Sequence, residues 1–221
     1  MIKLEKEGDV LILRMDAGEN RFGPEAIGLW NECLDEAEAV EGPKALVTTG
    51  SGKFYSNGLD LDHMNSSEVD PSTYLESVLA IMERILVFPA ITVAAMNGHA
   101  FGAGAQVALA HDYRVMRKDR GFFCMPEIDL GMPLHPGMTA LIQARLPVQT
   151  AHEVIATGTR YTADLALERR IVDEVEEESE VVSRAVEMAA GLAAKSAPVM
   201  SRLKSEMYPQ VVSALRAQMT N

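Results

Sequence analysis

Two glycine turns, each placed after a strand-like run, are the features of this sequence best suited to chemistry. The first is Asn57-Gly58-Leu59-Asp60, and the second is Gly102-Ala103-Gly104, which opens a helical run. Glycine lets other groups approach the main chain, and a helix start leaves several N–H groups unpaired. If the two strands are neighbours, both turns lie on one side and can offer one N–H each to an oxygen gaining negative charge. Alternatively, the glycines serve only the packing of strand against helix.

A carboxylate follows the second turn by about twenty residues. It is Glu127, within Met125-Pro126-Glu127-Ile128, and its neighbours are mostly apolar. Desolvation would raise the pKa of this carboxylate and make it a usable proton carrier near neutrality. The competing interpretation, which the spacing alone favours, is a solvated loop residue.

The elements that must position these groups alternate between strands and helices. Gly and Pro separate the predicted strands 9–15, 44–49, 91–96, 113–117, 121–124 and 171–175 from helices 23–40, 71–86, 137–145, 149–157, 178–194 and 197–218. This alternation predicts an α/β layer fold built from right-handed ββα turns. The helical tail after about residue 176 is interpreted as a separate layer that serves oligomerisation.

The composition excludes several classes of function. The 221 residues are 48% hydrophobic and 24% charged, and the net charge of −12 argues against nucleic acid as a partner. Residues 85–110 carry no formal charge and are long enough to span a bilayer, but Pro89, Asn97 and several glycines interrupt them. We interpret this run as protein interior, so no membrane is expected. No signal peptide is recognisable either.

The two cysteines, Cys33 and Cys124, are too few for a disulfide framework and lack Cys or His neighbours at metal-ligand spacing. We therefore expect buried thiols, no metal site, and a reducing, cytoplasmic location.

Three ordered motifs resemble those of the crotonase (enoyl-CoA hydratase/isomerase) superfamily. They are FYSNGLDL at 54–61, NGHAFGAGAQVALAHDYRVM at 97–116 and MPEIDLGMPLHPGM at 125–138, and the resemblance extends from about residue 3 to about residue 204. It implies a crotonase-like spiral of ββα units over 1–176, with a C-terminal helical oligomerisation layer over 177–221. It also implies an acyl-CoA thioester substrate and a homotrimer or dimer of trimers. No separate cofactor is expected, since coenzyme A would be part of the substrate.

Transferred residue by residue, the resemblance implies that the backbone N–H groups of Leu59 and Ala103 form an oxyanion hole. Of the two positions that hold catalytic carboxylates in the family, the later is Glu127 and the earlier is occupied by Gln106. The remaining residues expected to contact the substrate are Gly58, Asp60, Gly102, Gly104, Gln106, His135 and Lys204, the last matching a family lysine near the nucleotide.

The single carboxylate favours an isomerase. In the hydratases that this sequence resembles, two glutamates hold the reacting water, whereas an amide such as Gln106 neither takes nor gives a proton. Moving a double bond from position 3 to position 2 needs one base, Glu127, which removes a proton from C2 and returns it at C4. We expect such a reaction in fatty acid degradation. The alternatives are a hydratase or other acyl-CoA enzyme, and a non-catalytic acyl-CoA-binding member.

Overall fold

The computed structural model describes residues 1–217, within which nine strands form two sheets. The strands are β1 (Ile2–Glu7), β2 (Val10–Met15), β3 (Ala45–Gly50), β4 (Phe54–Ser56), β5 (Ile91–Met96), β6 (His99–Phe101), β7 (Tyr113–Arg117), β8 (Phe123–Cys124) and β9 (Glu174–Glu176). The helices are α1 (Pro24–Ala39), α2 (Leu61–Met64), α3 (Pro71–Leu86), α4 (Ala103–Ala110), α5 (Glu127–Leu130), α6 (Pro136–Arg145), α7 (Val148–Thr157), α8 (Ala163–Glu168), α9 (Val181–Ala190), α10 (Pro198–Met207) and α11 (Pro209–Leu215), with a 3₁₀ turn at Ala193–Lys195.

Successive pairs of strands along the chain contribute to both sheets. The larger sheet has the order β1-β2-β3-β5-β7-β9, and the smaller has the order β4-β6-β8. Only β1 and β2 pair antiparallel; every other pair between named strands is parallel. The pairs β3/β4, β5/β6 and β7/β8 each give one strand to each sheet, and helices follow each pair. This arrangement confirms the predicted spiral of ββα units.

The uncharged run 85–110 lies at the centre of the molecule. It contains β5, paired on both sides by β3 and β7, and α4, whose eight residues are all buried. Strands covered on both faces are expected to be apolar throughout, which explains the absence of charge. Over the described part of the chain, no helix is both long enough and apolar enough to cross a membrane.

Helix α9, which lies beyond the predicted boundary at residue 176, is part of the core. Its buried side chains Val181, Ala185 and Ala189 pack against strand residues such as Val47 and Val93 on one face of the larger sheet. That face would otherwise expose a row of aliphatic side chains to water. Helix α11 likewise buries Val211, Val212 and Leu215 in the main core. The last four residues of the predicted layer, 218–221, lie outside the described residues.

Three local differences from the predicted elements have simple causes. The predicted helix 197–218 is divided into α10 and α11 at Pro209, which has no N–H for an intrahelical hydrogen bond. The last strand is shifted to Glu174–Glu176, where it pairs with β7. The short elements β6 and α5 were not predicted, since three or four residues are too few to show a periodicity.

His111, at the end of α4, is a fully buried histidine held in one tautomer. Its Nδ1 lies 2.8 Å from the Val107 carbonyl oxygen and therefore donates, so that Nε2 accepts from the Thr48 hydroxyl at 2.9 Å. Burial lowers the pKa of His111 to about 3, and the nearby cations Arg114 and Lys204 add to this effect. The ring is therefore neutral in the folded protein.

We expect His111 to make the free energy of unfolding depend on pH. The unfolded chain binds this proton below its ordinary pKa of about 6.5, whereas the folded chain binds it only near pH 3. Stability is thus complete above about pH 6.5 and falls with acidification, by up to about 1.4 kcal/mol per pH unit. Urea unfolding should be measured between pH 4 and 7 at intervals of about one pH unit. The free energy of unfolding should change less steeply with pH in His111→Gln than in the wild type. The exposed His152→Gln serves as the control, and equal slopes for both variants would contradict the assignment.

Candidate active site

The first glycine turn follows β4 and is locked by side chains on either side. Gly58 adopts φ +83°, a conformation that favours glycine. Its N–H donates to the Ser56 hydroxyl at 3.2 Å, and that hydroxyl donates to the Asn20 carbonyl at 2.7 Å. The turn is therefore anchored to the chain segment that precedes α1.

The second turn follows β6 and packs directly on the first. A Cβ atom added to Gly58 would lie 2.7 Å from the Phe101 carbonyl oxygen and 3.1 Å from the Ala103 nitrogen. A Cβ atom added to Gly104 would lie 2.6 Å from the Ser56 carbonyl oxygen. Real Cβ contacts are not this short, so both positions must be glycine for the two turns to meet.

Two backbone donors result from this contact. Leu59 and Ala103 line the same cavity, and Ala103 is the first residue of α4. Within residues 1–217, neither N–H donates to a protein acceptor. An unpaired N–H group is costly when buried, and two beside one cavity provide a ready site for an anionic oxygen.

Glu127 reaches this cavity from the end of the third strand of the smaller sheet, β8. Its Oε1 accepts a hydrogen bond from Gln106 Nε2 at 3.0 Å, while its Oε2 is buried and has no partner among the described residues. A Cβ atom built on Gly102, which has φ +50°, would lie 3.6 Å from Oε1. Burial raises the pKa of Glu127, and the hydrogen bond from Gln106 only partly opposes this.

The cavity has a volume of about 390 Å³ and is mainly apolar. Its polar groups are few: Arg21, Asn57, Asp62, Glu127 and His135. The apolar side chains that face it are Leu59, Leu61, Met64, Leu75, Phe101, Leu130, Met132, Leu134 and Met138. A cavity of this kind suits an apolar chain with one reactive polar group.

His135 faces the cavity as a neutral ring with a structural hydrogen bond. It precedes α6, and its Nδ1 accepts from the Gly137 N–H at 3.0 Å. Burial lowers the pKa of His135, although Glu76 and the carbonyl of Ala217 favour the charged form. The ring caps the helix and does not need a proton to do so.

The sequence model of the enoyl-CoA hydratase/isomerase family matches residues 5–221. The chain belongs to the enoyl-CoA hydratase/isomerase family. It is 35% identical to the peroxisomal enoyl-CoA delta isomerase 2 of Arabidopsis thaliana, over 97% of this chain and 95% of that one. Enoyl-CoA delta isomerase 3 of the same plant is 34% identical over 96% of this chain and 93% of its own.

Solved structures of the family share the fold. A probable enoyl-CoA hydratase from Mycobacterium tuberculosis H37Rv superimposes with a TM-score of 0.88 at 27% identity, covering 98% of this chain and 92% of the other. Names of both hydratases and isomerases thus occur among these relatives.

Most of the residues singled out in the sequence meet at the cavity. Gly58 lies directly beside it, and the residues that line it are Leu59, Gly102, Ala103, Glu127 and His135. Gly104 lies behind the wall, against Ser56. Gln106 is wholly buried and contacts Glu127, so the structure places it behind the base and not in the cavity wall.

Two residues expected to bind substrate are engaged elsewhere. Asp60 caps α2 by accepting from the His63 N–H at 3.2 Å, and it is absent from the cavity wall. Lys204 is 4% exposed, and its ammonium donates to Asp112 at 2.6 Å and to the Ala90 carbonyl at 2.8 Å. This buried ion pair ties α10 to the larger sheet, and a contact between Lys204 and a nucleotide stays a prediction.

Several residues of the cavity were not predicted individually. Arg21 and Asn57 bring the polar groups at its edge, and Leu61, Met64 and Leu75 come from α2 and α3. The only sequence signal for them is their proximity to the first glycine turn, since apolar residues on short helices are as common in any core.

We expect the contact between the turns to be the most sensitive backbone feature of the site. Gly58→Ala adds a Cβ 2.7 Å from the Phe101 carbonyl, whereas Gly52→Ala meets nothing within 4 Å. Both glycines have positive φ, +83° and +70°, so both variants incur a backbone cost of about 1–2 kcal/mol. Urea unfolding should show a larger loss for Gly58→Ala, and acyl-CoA affinity should fall in this variant alone. Equal losses would mean that the turns are not in close contact.

Proposed function

We propose that the protein is an enoyl-CoA isomerase that converts 3-enoyl-CoA thioesters to 2-enoyl-CoA thioesters. The observation that supports this most directly is that a partly buried carboxylate at the cavity is paired with a neutral amide and not with a second carboxylate. Glu127 faces the cavity, and the side chain that contacts it is the neutral amide of Gln106. The names of the Arabidopsis relatives agree with this activity. The expected physiological setting is fatty acid degradation.

The proposed reaction begins with the thioester oxygen accepting hydrogen bonds from the N–H groups of Leu59 and Ala103. Glu127 then takes a proton from C2: the C2–H bond breaks, and its electron pair enters the conjugated enolate, whose charge lies on the thioester oxygen. The same proton is returned to C4, and the double bond moves to position 2. Each N–H donor is worth roughly 3–4 kcal/mol of transition-state stabilisation.

The surroundings of Glu127 suit a group that must accept and release a proton. Burial raises the pKa of its carboxyl, so that the protonated intermediate costs less than it would in water. The apolar lining of the cavity limits the access of water, which otherwise competes for the enolate. These two features favour proton transfer between carbons.

Hydration is the alternative reaction, and it makes a different demand. It requires that a water be held and deprotonated while a proton reaches C2, a task that the resembling hydratases divide between two carboxylates. Here Gln106 is fully buried and its Nε2 is already bound to Glu127. Parallel assays with 3-enoyl-CoA and 2-enoyl-CoA substrates distinguish the isomerase from a hydratase, and activity with neither would indicate a binding protein.

The expected homotrimer, or dimer of trimers, has a candidate surface on α10. Val199, Leu203 and Met207 are 56%, 50% and 66% exposed and recur every four residues, so they form one apolar stripe. A second copy of the chain would remove this stripe from water. The cytoplasmic location stays a prediction.

We expect disruption of this stripe to change the molecular mass in solution. Leu203→Glu places a charge in its centre, whereas Gln210→Glu places one at an exposed position outside it. Light scattering should give three or six chain masses for the wild type and for Gln210→Glu, and a smaller mass for Leu203→Glu. A wild-type protein that is monomeric at micromolar concentration would contradict the assembly.

The decisive variant for the reaction is Glu127→Gln. The substitution is nearly isosteric, so acyl-CoA affinity should stay close to that of the wild type, while kcat falls on the order of 10²–10⁴-fold. Asp129→Asn changes an exposed carboxylate in the same helix and should leave kcat unchanged. In the wild type, activity should be lost as pH falls through the pKa of Glu127, above the range of an ordinary glutamate. If Glu127→Gln retains most of its activity, the proton carrier is another group, and His135 is the next candidate.

A further inference from the structure

Gln106 is an unusual residue for its position in the fold. Helix α4 has the sequence AGAQVALA, in which Gln106 is the only polar side chain, and its exposed fraction is zero. Burial of an amide is unfavourable unless hydrogen bonds compensate for it. Only one of its two polar atoms is compensated: Nε2 donates to Glu127 Oε1, whereas its Oε1 has no partner in the described chain. A role in stabilising the core alone does not account for this arrangement.

The contact makes the two oxygens of Glu127 inequivalent. Oε1 accepts the amide N–H at 3.0 Å, and Oε2 has no protein partner within the described residues. The amide orientation follows from the charge of the base, because the reversed orientation would place two oxygens against each other. An ionised Glu127 therefore fixes Gln106, and Gln106 in turn fixes the carboxylate.

We propose that Gln106 is a positioning residue that binds Glu127 Oε1 in both protonation states and so reserves Oε2 as the oxygen that exchanges the proton with substrate. When Oε2 accepts the C2 proton, Oε1 becomes the carbonyl oxygen of the acid and still accepts the amide N–H. When the Oε2–H bond breaks and the C4–H bond forms, the contact is again unchanged. The hydrogen bond between Gln106 and Glu127 does not have to break during turnover. This inference rests on the proposed isomerase function.

The location of Gln106 on α4 adds geometric precision. It lies three residues after Ala103, within the first turn of the same buried helix. The turn that presents the Ala103 N–H to the thioester oxygen thus also orients the base. Misplacement of a reacting group by about 1 Å is enough to cost on the order of 100-fold in rate.

The contact with Glu127 Oε1 must persist in both protonation states, and a neutral side chain that donates a hydrogen bond meets this requirement. A glutamate at this position would put a second carboxyl against the first, and the two would share a proton and titrate as a pair. An aliphatic side chain of similar length would leave Oε1 without a partner in a buried site. Of these three kinds of side chain, only the amide both stays uncharged and donates a hydrogen bond.

The test is the titration of the Glu127 carboxyl carbon by ¹³C NMR, with Glu127→Gln used to assign the signal. Gln106→Met keeps the length of the side chain and removes the donor, so the titration should move to higher pH, since the N–H favours the charged form. The acidic limb of kcat/KM should move with it, kcat should fall roughly 10- to 100-fold, and KM should change little. Gln143→Met, the same substitution at an exposed position of α6, is the control and should change none of these values.

The outcomes separate this inference from the proposed function. An active isomerase whose Glu127 titration and pH profile are unchanged in Gln106→Met would overturn the inference and leave the function intact. A shifted titration in a protein without isomerase activity would leave the contact intact and overturn the function. Gln106→Glu is the second variant: the positioning contact predicts two coupled titration steps, together with weak hydration of 2-enoyl-CoA. A single, unchanged Glu127 titration in this variant would also overturn the inference.

Discussion

The contact between two glycine turns is the constraint on which the rest of the site depends. Gly58 meets the backbone of Phe101 and Ala103, and Gly104 meets the backbone of Ser56, at distances that no Cβ atom permits. The turns reach each other because β4 and β6 are neighbours in a parallel sheet, whose carboxyl ends lie at one edge. The third strand, β8, brings Glu127 to the same edge. Three short strands therefore bring two backbone N–H groups and a carboxylate together.

Two partly buried carboxylates of this chain, Asp112 and Glu127, illustrate how surroundings decide a role. Asp112 accepts from the Lys204 ammonium and from the Thr92 N–H, so its charge is compensated and it serves to hold α10. Glu127 accepts only a neutral amide N–H from a side chain, and one of its oxygens is left free. Hydrogen-bond donors and cations stabilise the charged form of a carboxylate, whereas desolvation without such partners favours the protonated form. The same functional group is thus structural at one position and chemically available at the other.

The extent to which the sequence predicts this structure depends on the range of the determining interactions. The alternation of strands and helices, and the position of Leu59 and Ala103 at one cavity, follow from local patterns and ordered motifs. The burial of Lys204 depends on a partner 92 residues away, so no local pattern reveals it. The same holds for α9, whose apolar stripe is equally consistent with an oligomer surface until the uncovered face of the larger sheet is seen. Asp60 precedes a helix of only four residues, α2, and its side chain caps this helix instead of lining the cavity.

Hydrogen bonds also distinguish Glu127 from His135 as the candidate proton carrier. Both side chains face the cavity, and burial favours the neutral form of each, by raising the pKa of the first and lowering that of the second. The imidazole, however, is occupied, because its Nδ1 accepts a hydrogen bond from the Gly137 N–H. To take a proton from carbon, His135 would have to give up the cap of α6. Glu127 has a free oxygen already, and its second oxygen is held by an amide that tolerates either protonation state. The proposed proton transfer therefore uses the group whose structural hydrogen bonds survive it.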